Sequence, residues 1–269
     1  MVKGDMDSIC AIAPTVCEFL GLRHPAASHS RVLEDVVRIR RTRGAEMPAV
    51  CLIFSPDAIG TVLIRKHPKI FRRVREIAPL RIDLRSVYPP KTPVCYASMF
   101  TGALPGTHGI REYVKRPPAV ESVFDVVRDA GKKVAIVAVR ESSLDTMFRK
   151  TGADHWSEAS DKAVTERTLA LIEAARHDLV VVYQQEYDDL LHRGTTESPE
   201  ALEALKRHVG SFDSIARALS QRGRAPYMIA FAPDHGAHLD PVSGKGTHGE
   251  DIPEDMEVTH FFSFSRPGP

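Results

Sequence analysis

Aspartate and histidine recur in this sequence at the places where apolar runs stop. Residues 232–250 read A-P-D-H-G-A-H-L-D-P-V-S-G-K-G-T-H-G-E, directly after the apolar run Tyr227–Phe231. That run has the length and content of a buried strand. Pro233 ends it, and Asp234 and His235 follow at once. A carboxylate beside an imidazole at a strand end offers two ligands to a borderline cation such as zinc; an Asp in that position also makes a capped turn. Open α/β sheets bind ligands at the carboxyl ends of their strands, which is where this pair falls. A later histidine, His248, stands in G-T-H-G, where glycines let the backbone come close to a site. His238, near His235, is an alternative ligand.

The same juxtaposition occurs earlier in the chain. The apolar run 49–54 is followed by Ser55-Pro56-Asp57, so Asp57 is placed either to bind a cation or to cap a helix starting near Ile59. The run 178–183 is followed by Q-Q-E-Y-D-D-L-L-H-R-G, in which Asp188 and His192 are four residues apart and share one face of a helical turn. Asp189 is the weaker alternative at three residues. Thr92-Pro93 opens a helix, with Pro93 suited to the first turn and Thr92 to the cap. A helix start also carries free amide donors and partial positive charge, which favour a phosphate. A metal there would let Thr92 act as a nucleophile.

The elements that must carry these residues alternate. Helices are expected over residues 8–20, with Ser8 as cap and Gly21 as stop, and over 30–43, closed by Gly44. Further helices are expected over 122–130, 143–149, 163–175 and 198–220, and strands over 49–54, 80–87, 133–139, 154–156, 178–183, 227–231 and 258–264. Strand–helix alternation with continuous apolar strands predicts a three-layer α/β/α sandwich with a mainly parallel central sheet. At 269 residues and 43% hydrophobic, the chain suits one domain spanning 1–269. A formal net charge of +1 gives no electrostatic case for nucleic acid or a membrane surface. Cys10, Cys17, Cys51 and Cys95 lack paired metal spacing and read as reduced thiols, the start of the chain is too polar for a signal peptide, and no run has membrane-spanning length. These features predict a cytoplasmic protein.

The order of these motifs resembles the alkaline phosphatase superfamily, most closely its nucleotide pyrophosphatase/phosphodiesterase branch, over about residues 49 to 264. The nucleophile segment is Thr92, a helix ending in Thr101-Gly102, then Pro105 and His108-Gly109-Ile110. Asp188-x-x-x-His192, Asp234-His235-Gly236 and Gly246-x-His248-Gly249 resemble the metal motifs, and Asp57 stands at the first aspartate. The resemblance implies two divalent ions, zinc or alternatively manganese. Asp188, His192 and His248 would hold one; Asp57, Asp234 and His235 would hold the other, with Thr92 bridging or bound to it. It implies phosphodiester or nucleotide pyrophosphate cleavage through a phosphothreonine. The alternatives are a phosphomonoesterase, a phosphomutase, or a metal-binding sensor or scaffold without catalysis. The partner implied is a small phosphorylated substrate, and self-association is compatible with it.

The sequence departs from the branch in one place. Cys95 stands three residues after Thr92, where relatives carry Asn to hold phosphoryl oxygens; Lys91 or Lys245 are the candidate replacements. T-P-V-C-Y does not match the sulfatase pattern C-x-P-S-R. The segment I-A-P-T-V-C-E-F-L-G-L, from Ile12 to Leu22, resembles one that members carry after the final histidine motif. Its early position implies a circular permutation within residues 1–25, with Ile12, Val16, Phe19 and Leu20 buried beside the strand at 258–264, at the sheet edge.

Overall fold

Strands form where the sequence is most continuously apolar. The computed structural model describes residues 6–42, 48–222 and 225–265. In it the strands are β1 (Val50–Pro56), β2 (Leu80–Arg85), β3 (Val134–Val139), β4 (Asp154–Glu158), β5 (Leu179–Gln184), β6 (Tyr227–Phe231), β7 (His238–Leu239), β8 (Gly246–Thr247) and β9 (Glu257–Phe264). Seven of them form one sheet in the order β2-β9-β6-β1-β5-β3-β4, while β7 and β8 pair as a separate two-stranded ribbon. The run β6-β1-β5-β3-β4 is parallel; β9 is antiparallel to both of its neighbours. Central strands β1, β3 and β5 are buried at every position, as a parallel sheet covered on both faces requires.

Period-two alternation sorts each strand between two apolar layers. Cys51 and Ile53 face one layer with Val181 and Tyr183; Leu52 and Phe54 face the other with Val180 and Val182. The first layer is covered by the helices Ile12–Leu20, Thr92–Thr101 and Val123–Asp129, the second by Asp161–Ala174 and Pro199–Gln221. Helix on sheet on helix is the three-layer α/β/α architecture. No described helix is long and apolar enough to cross a membrane.

Boundaries differ from expectation where a distant group takes over. The second helix starts at Glu34 rather than near Ser30, because the Thr15 hydroxyl captures the Leu33 amide at 2.9 Å; its expected stop, Gly44, lies outside the described residues. Strand β2 ends at Arg85, two residues short of Val87. The helix expected near Ile59 begins at Thr61, with Gly60 as its cap. Short helices at Arg72–Ile77 and Pro253–Met256 were not expected.

Ser8 does cap the first turn, accepting the Cys10 amide, and Gly21 closes the Ile12–Leu20 helix in the left-handed region at φ +67°. The expected docking place needs correction. β9 has a partner on each side, so the free edge belongs to β2, and residues 7 and 8 run alongside its end at Arg85. The helix lies over the sheet face, with the Phe19 ring edge-on to Phe264 at 5.3 Å between centroids. Met1 and Pro269 lie outside the described residues.

Phe19 is fully enclosed. Phe19→Ala should therefore lower unfolding free energy by about 3–5 kcal/mol in urea titrations. Exposed Leu239→Ala should stay within about 0.5 kcal/mol of the parent. Equal, small effects would mean that the N-terminal helix does not form part of the core.

Candidate metal centre and nucleophile

The candidate residues hang from three adjacent strands. β1 continues into Asp57, whose amide donates to Gln184 O at the end of β5, 2.9 Å away. β6 continues through Ala232, whose amide donates to Phe54 O of β1 at 2.8 Å, and delivers Asp234 and His235. β5 leads directly into the helix Glu186–Arg193, which carries Asp188 and His192. Because β6, β1 and β5 are neighbours in a parallel sheet, all three carboxyl ends point to one place. His248 follows β8, and Thr92 is the first residue of the helix Thr92–Thr101.

Two groups of ligand atoms result. Asp57, Asp234 and His235 offer atoms all within 4.8 Å of one another, and so do Asp188, His192 and His248. The first group is buried; the second opens to solvent through His192. Thr92 Oγ1 lies 3.4 Å from Asp57 Oδ2 and 3.3 Å from His235 Nε2. The His235 and His248 rings, one from each group, lie 4.1 Å apart between centroids.

All three histidines are oriented in the same way. His192 Nδ1 bonds to Gly246 O at 3.1 Å, His235 Nδ1 to Gly236 O at 2.9 Å and His248 Nδ1 to Pro90 O at 2.9 Å. A carbonyl oxygen only accepts, so each Nδ1 carries the hydrogen. In the neutral ring each Nε2 then presents a lone pair to the centre, as in a metal-binding histidine held by its other nitrogen. Those lone pairs meet others. His235 Nε2 is 3.4 Å from Asp57 Oδ1 and from Asp234 Oδ2; Asp188 Oδ1 is 3.3 Å from His192 Nε2 and 3.5 Å from His248 Nε2. Asp57 Oδ1, Asp188 Oδ1 and Asp234 Oδ2 are buried without hydrogen-bond partners. Buried polar atoms are almost always satisfied. Here one oxygen of each carboxylate faces imidazole nitrogens with no donor of its own, an arrangement that fits cations with N and O ligands.

The acid–base balance carries the same message. Burial, then the charges of Asp234 and Asp188, push Asp57 well above the usual carboxylate range. Burial pushes Asp234 up to about 8 and His235 down to about 3. Burial would also raise Asp188, but His192 and His248 more than offset it and hold it below its usual range. Asp188 in turn raises His192; burial would lower His248, but Asp188 and Asp57 more than offset it and raise it. Without added cations the site holds its charge by taking up protons.

Several partners of these residues gave no sequence signal. The Tyr183 hydroxyl donates to Asp57 Oδ2, fixing that carboxylate from behind. Asp161 accepts the amides of Gln185 and Glu186 at 3.1 and 3.0 Å, and His208 Nε2 accepts that of Tyr187 at 3.3 Å. Together they satisfy free N–H groups at the start of the helix bearing Asp188 and His192. His208 Nδ1 donates to Gln184 Oε1 at 2.8 Å, and burial lowers its pKa to about 3, so it stays neutral and able to accept. A tyrosine in an apolar strand and an aspartate 24 residues before Gln185 meet only through the fold.

Other expected positions fall differently. Lys91, not Thr92, occupies the helix cap, leaving the Thr92 side chain free to face Asp57 and His235. Asp57 caps no helix. Asp189 accepts from Gln185 Nε2 at 3.3 Å and His238 donates to Asp255 at 2.8 Å; neither belongs to the two groups. Cys95 is enclosed with its Sγ 3.2 Å from Ser86 Oγ, and burial pushes its thiol well up. Lys91 is half-buried and Lys245 is exposed in the turn between β7 and β8. A cavity of about 720 Å³ flanks the helix Glu186–Arg193, but its Arg207 is already paired with Glu186 at 2.8 Å.

A sequence model described as type I phosphodiesterase / nucleotide pyrophosphatase matches residues 51–260. No curated protein sequence matches the chain. Among solved structures, the fold is similar to phosphonoacetate hydrolase from Sinorhizobium meliloti 1021 in complex with phosphonoacetate, at 16% identity and a TM-score of 0.55, covering 71% of this chain and 57% of that one. The same enzyme in complex with phosphonoformate gives 16% identity and a TM-score of 0.56, covering 74% and 59%. The chain thus matches under two thirds of those proteins' length, and at this identity the likeness is one of fold.

If the converging acceptors bind cations, Zn²⁺ or Mn²⁺ should stabilise the metal-free protein. Each filled site adds about 2.7 kcal/mol when free metal is a hundredfold above its Kd. Differential scanning fluorimetry should show an upward Tm shift, and elemental analysis up to two ions per chain. Asp188→Ala and His235→Ala should each lose metal. Parent-level metal content in both variants would sink the assignment.

Proposed function

Because the chain belongs to the type I phosphodiesterase / nucleotide pyrophosphatase family of the alkaline phosphatase superfamily, we propose that it is a metal-dependent phosphoesterase cleaving phosphodiester or nucleotide pyrophosphate bonds. The observation that carries this reading is the Thr92 hydroxyl, 3.3–3.4 Å from His235 and Asp57, beside two groups of converging N and O ligand atoms. Asp57, Asp234 and His235 would hold one divalent ion and Asp188, His192 and His248 the other, zinc first and manganese second. Bound there, the ions would lower the Thr92 hydroxyl pKa and balance the charge of the phosphoryl oxygens.

The chain's own residues supply the rest. Thr92 loses its proton to solvent, and its Oγ1 forms a bond to phosphorus as the bond to the leaving oxygen breaks. The leaving oxygen takes a proton, and water then cleaves the phosphothreonine, restoring the hydroxyl. Asp57 and His235 orient Oγ1. Thr92 opens the helix Thr92–Thr101, so the positive end of that helix's dipole lies beside Oγ1. The opening at His192 suits a small phosphorylated substrate entering from solvent. Cys95 is the least suited of the expected phosphate contacts, being enclosed and neutral.

Residues 1–269 are read as one catalytic domain. The Ile12–Leu20 helix is read as the permuted counterpart of a segment that relatives carry later in the chain; the Phe19–Phe264 contact supports this.

Metal-saturated protein should hydrolyse bis-p-nitrophenyl phosphate faster than p-nitrophenyl phosphate. The reverse order would move the reading to a phosphomonoesterase, and no turnover of either to a metal-binding protein without catalysis. Thr92→Ala should remove nearly all turnover while changing stability by about 1 kcal/mol, the size of one hydrogen bond. Acid quench of the parent should trap phosphate on Thr92 by mass spectrometry. Substantial turnover by Thr92→Ala, with no trapped phosphate in the parent, would replace the covalent route with direct attack by water.

A further inference from the structure

Neither candidate histidine loop is rigid by its own sequence. His235 lies between a strand and a ribbon, and His248 follows a two-residue strand. Both loops lead to one buried residue. Asp255, fully enclosed in the short helix Pro253–Met256, accepts the Gly249 and Glu250 amides on Oδ2 at 2.8 and 2.9 Å. These are the two peptides directly after His248. Its other oxygen accepts from His238 Nδ1 at 2.8 Å. Its main-chain carbonyl accepts the Gly236 amide at 2.8 Å, and the Gly236 carbonyl is the group that holds His235 Nδ1. The carboxylate's three bonds and the carbonyl's one all go to the segments that carry, or immediately follow, the two histidines.

We infer that Asp255 is a positioning residue that holds His235 and His248, and with them both candidate metal groups, in one fixed arrangement. The inference rests on the metal reading of the site. Asp255 touches neither ligand atoms nor Thr92; it acts through peptides next to the ligands. Groups bonded directly to metal ligands affect affinity by about 10–100-fold, and Asp255 fixes the peptides on which such a group, Gly236 O, and the His248 segment stand. The ring separation of 4.1 Å between His235 and His248 leaves little tolerance. A loop that drifts by even part of an ångström takes one Nε2 away from its carboxylates.

The geometry, rather than the charge, defines the role. Asp255→Asn keeps one oxygen for the Gly249 and Glu250 amides, and its NH₂ can donate to the other tautomer of His238. Asp255→Ala keeps the carbonyl bond to Gly236 but removes every side-chain bond at once, freeing the His248 segment at Gly249 and Glu250 and the His235 segment at His238.

The test measures Zn²⁺ affinity by competition with a chromogenic chelator, and the visible bands of the Co²⁺-loaded protein, in the parent and both variants. Hydrogen exchange of residues 234–250 is followed in the metal-free proteins. Asp255→Ala should weaken both sites at least tenfold, alter the Co²⁺ bands and speed exchange in both histidine segments. Asp255→Asn should stay within about threefold of the parent, well inside the tenfold threshold. Parent-like affinity in a folded Asp255→Ala, or weakening of one site alone, would overturn the inference. So would an Asp255→Asn as damaged as Asp255→Ala. If Asp255→Ala does not fold, Asp255→Ser, too short to reach both amides, is read by the same criteria. A parent that binds no metal overturns the functional reading and this inference with it; a parent that binds while Asp255→Ala binds equally well overturns this inference alone.

Discussion

The rest of the structure depends on a repulsion. Three carboxylates and three imidazole nitrogens converge with their lone pairs inward, and no donor among the described residues stands between several of them. Taking one ionised carboxylate out of water costs several kcal/mol, and a neighbouring charge adds to it. Such a cluster survives only where the backbone gives its members nowhere else to go. The parallel trio β6-β1-β5 provides that frame, because each strand is locked to its neighbour almost to the residue that bears a ligand. The ladder even extends past the strands, through the Ala232 and Asp57 amides.

The frame fixes backbone positions, and a second layer of bonds fixes side chains. Backbone carbonyls hold the Nδ1 atoms of the three histidines, which decides the tautomer and the ring plane. Tyr183 holds one oxygen of Asp57 and leaves the other facing the centre. Asp161 and His208 hold the helix that carries Asp188 and His192. The two layers have different tolerances. A core substitution can be absorbed by repacking over many contacts, but a lost carbonyl bond removes the one contact that sets a ring's tautomer.

What was legible in the sequence follows from this division. Buried parallel strands read as unbroken apolar runs, so β1, β3, β5 and β6 could be placed, and with them the order of Asp57, Asp188 and Asp234. The i, i+4 spacing of Asp188 and His192 is local and needs no tertiary knowledge. The edge was harder: β2 is half exposed and ends two residues short of the expected 87, while β9, antiparallel between β2 and β6, falls within a residue of the expected 258–264. The start of the second helix went wrong because Thr15, eighteen residues earlier, binds the Leu33 amide. Thr92 was expected as a cap because Thr-Pro often is one, yet Lys91 takes the cap and the hydroxyl turns inward. Tyr183, Asp161, His208 and Asp255 could not be singled out, since each acts on residues tens of positions away.

Glycine is what allows these separate segments to come so close. A Cβ on Gly236 would sit 2.0 Å from Glu254 O and 2.7 Å from Gly60 Cα, and one on Gly60 would sit 2.6 Å from the same oxygen. Three backbones therefore cross at van der Waals distance just behind Asp57 and His235. A Cβ on Gly246 would lie 2.7 Å from Leu191 O, so the ribbon β7–β8 can rest on the helix Glu186–Arg193 only without one. That contact puts Gly246 O within reach of His192 Nδ1. The glycines that frame the aspartates and histidines in the sequence thus have a steric explanation here. They do no chemistry, but an alanine at Gly236 or Gly246 would push apart the strand ends on which the site depends, because backbone cannot move aside as a flexible side chain can.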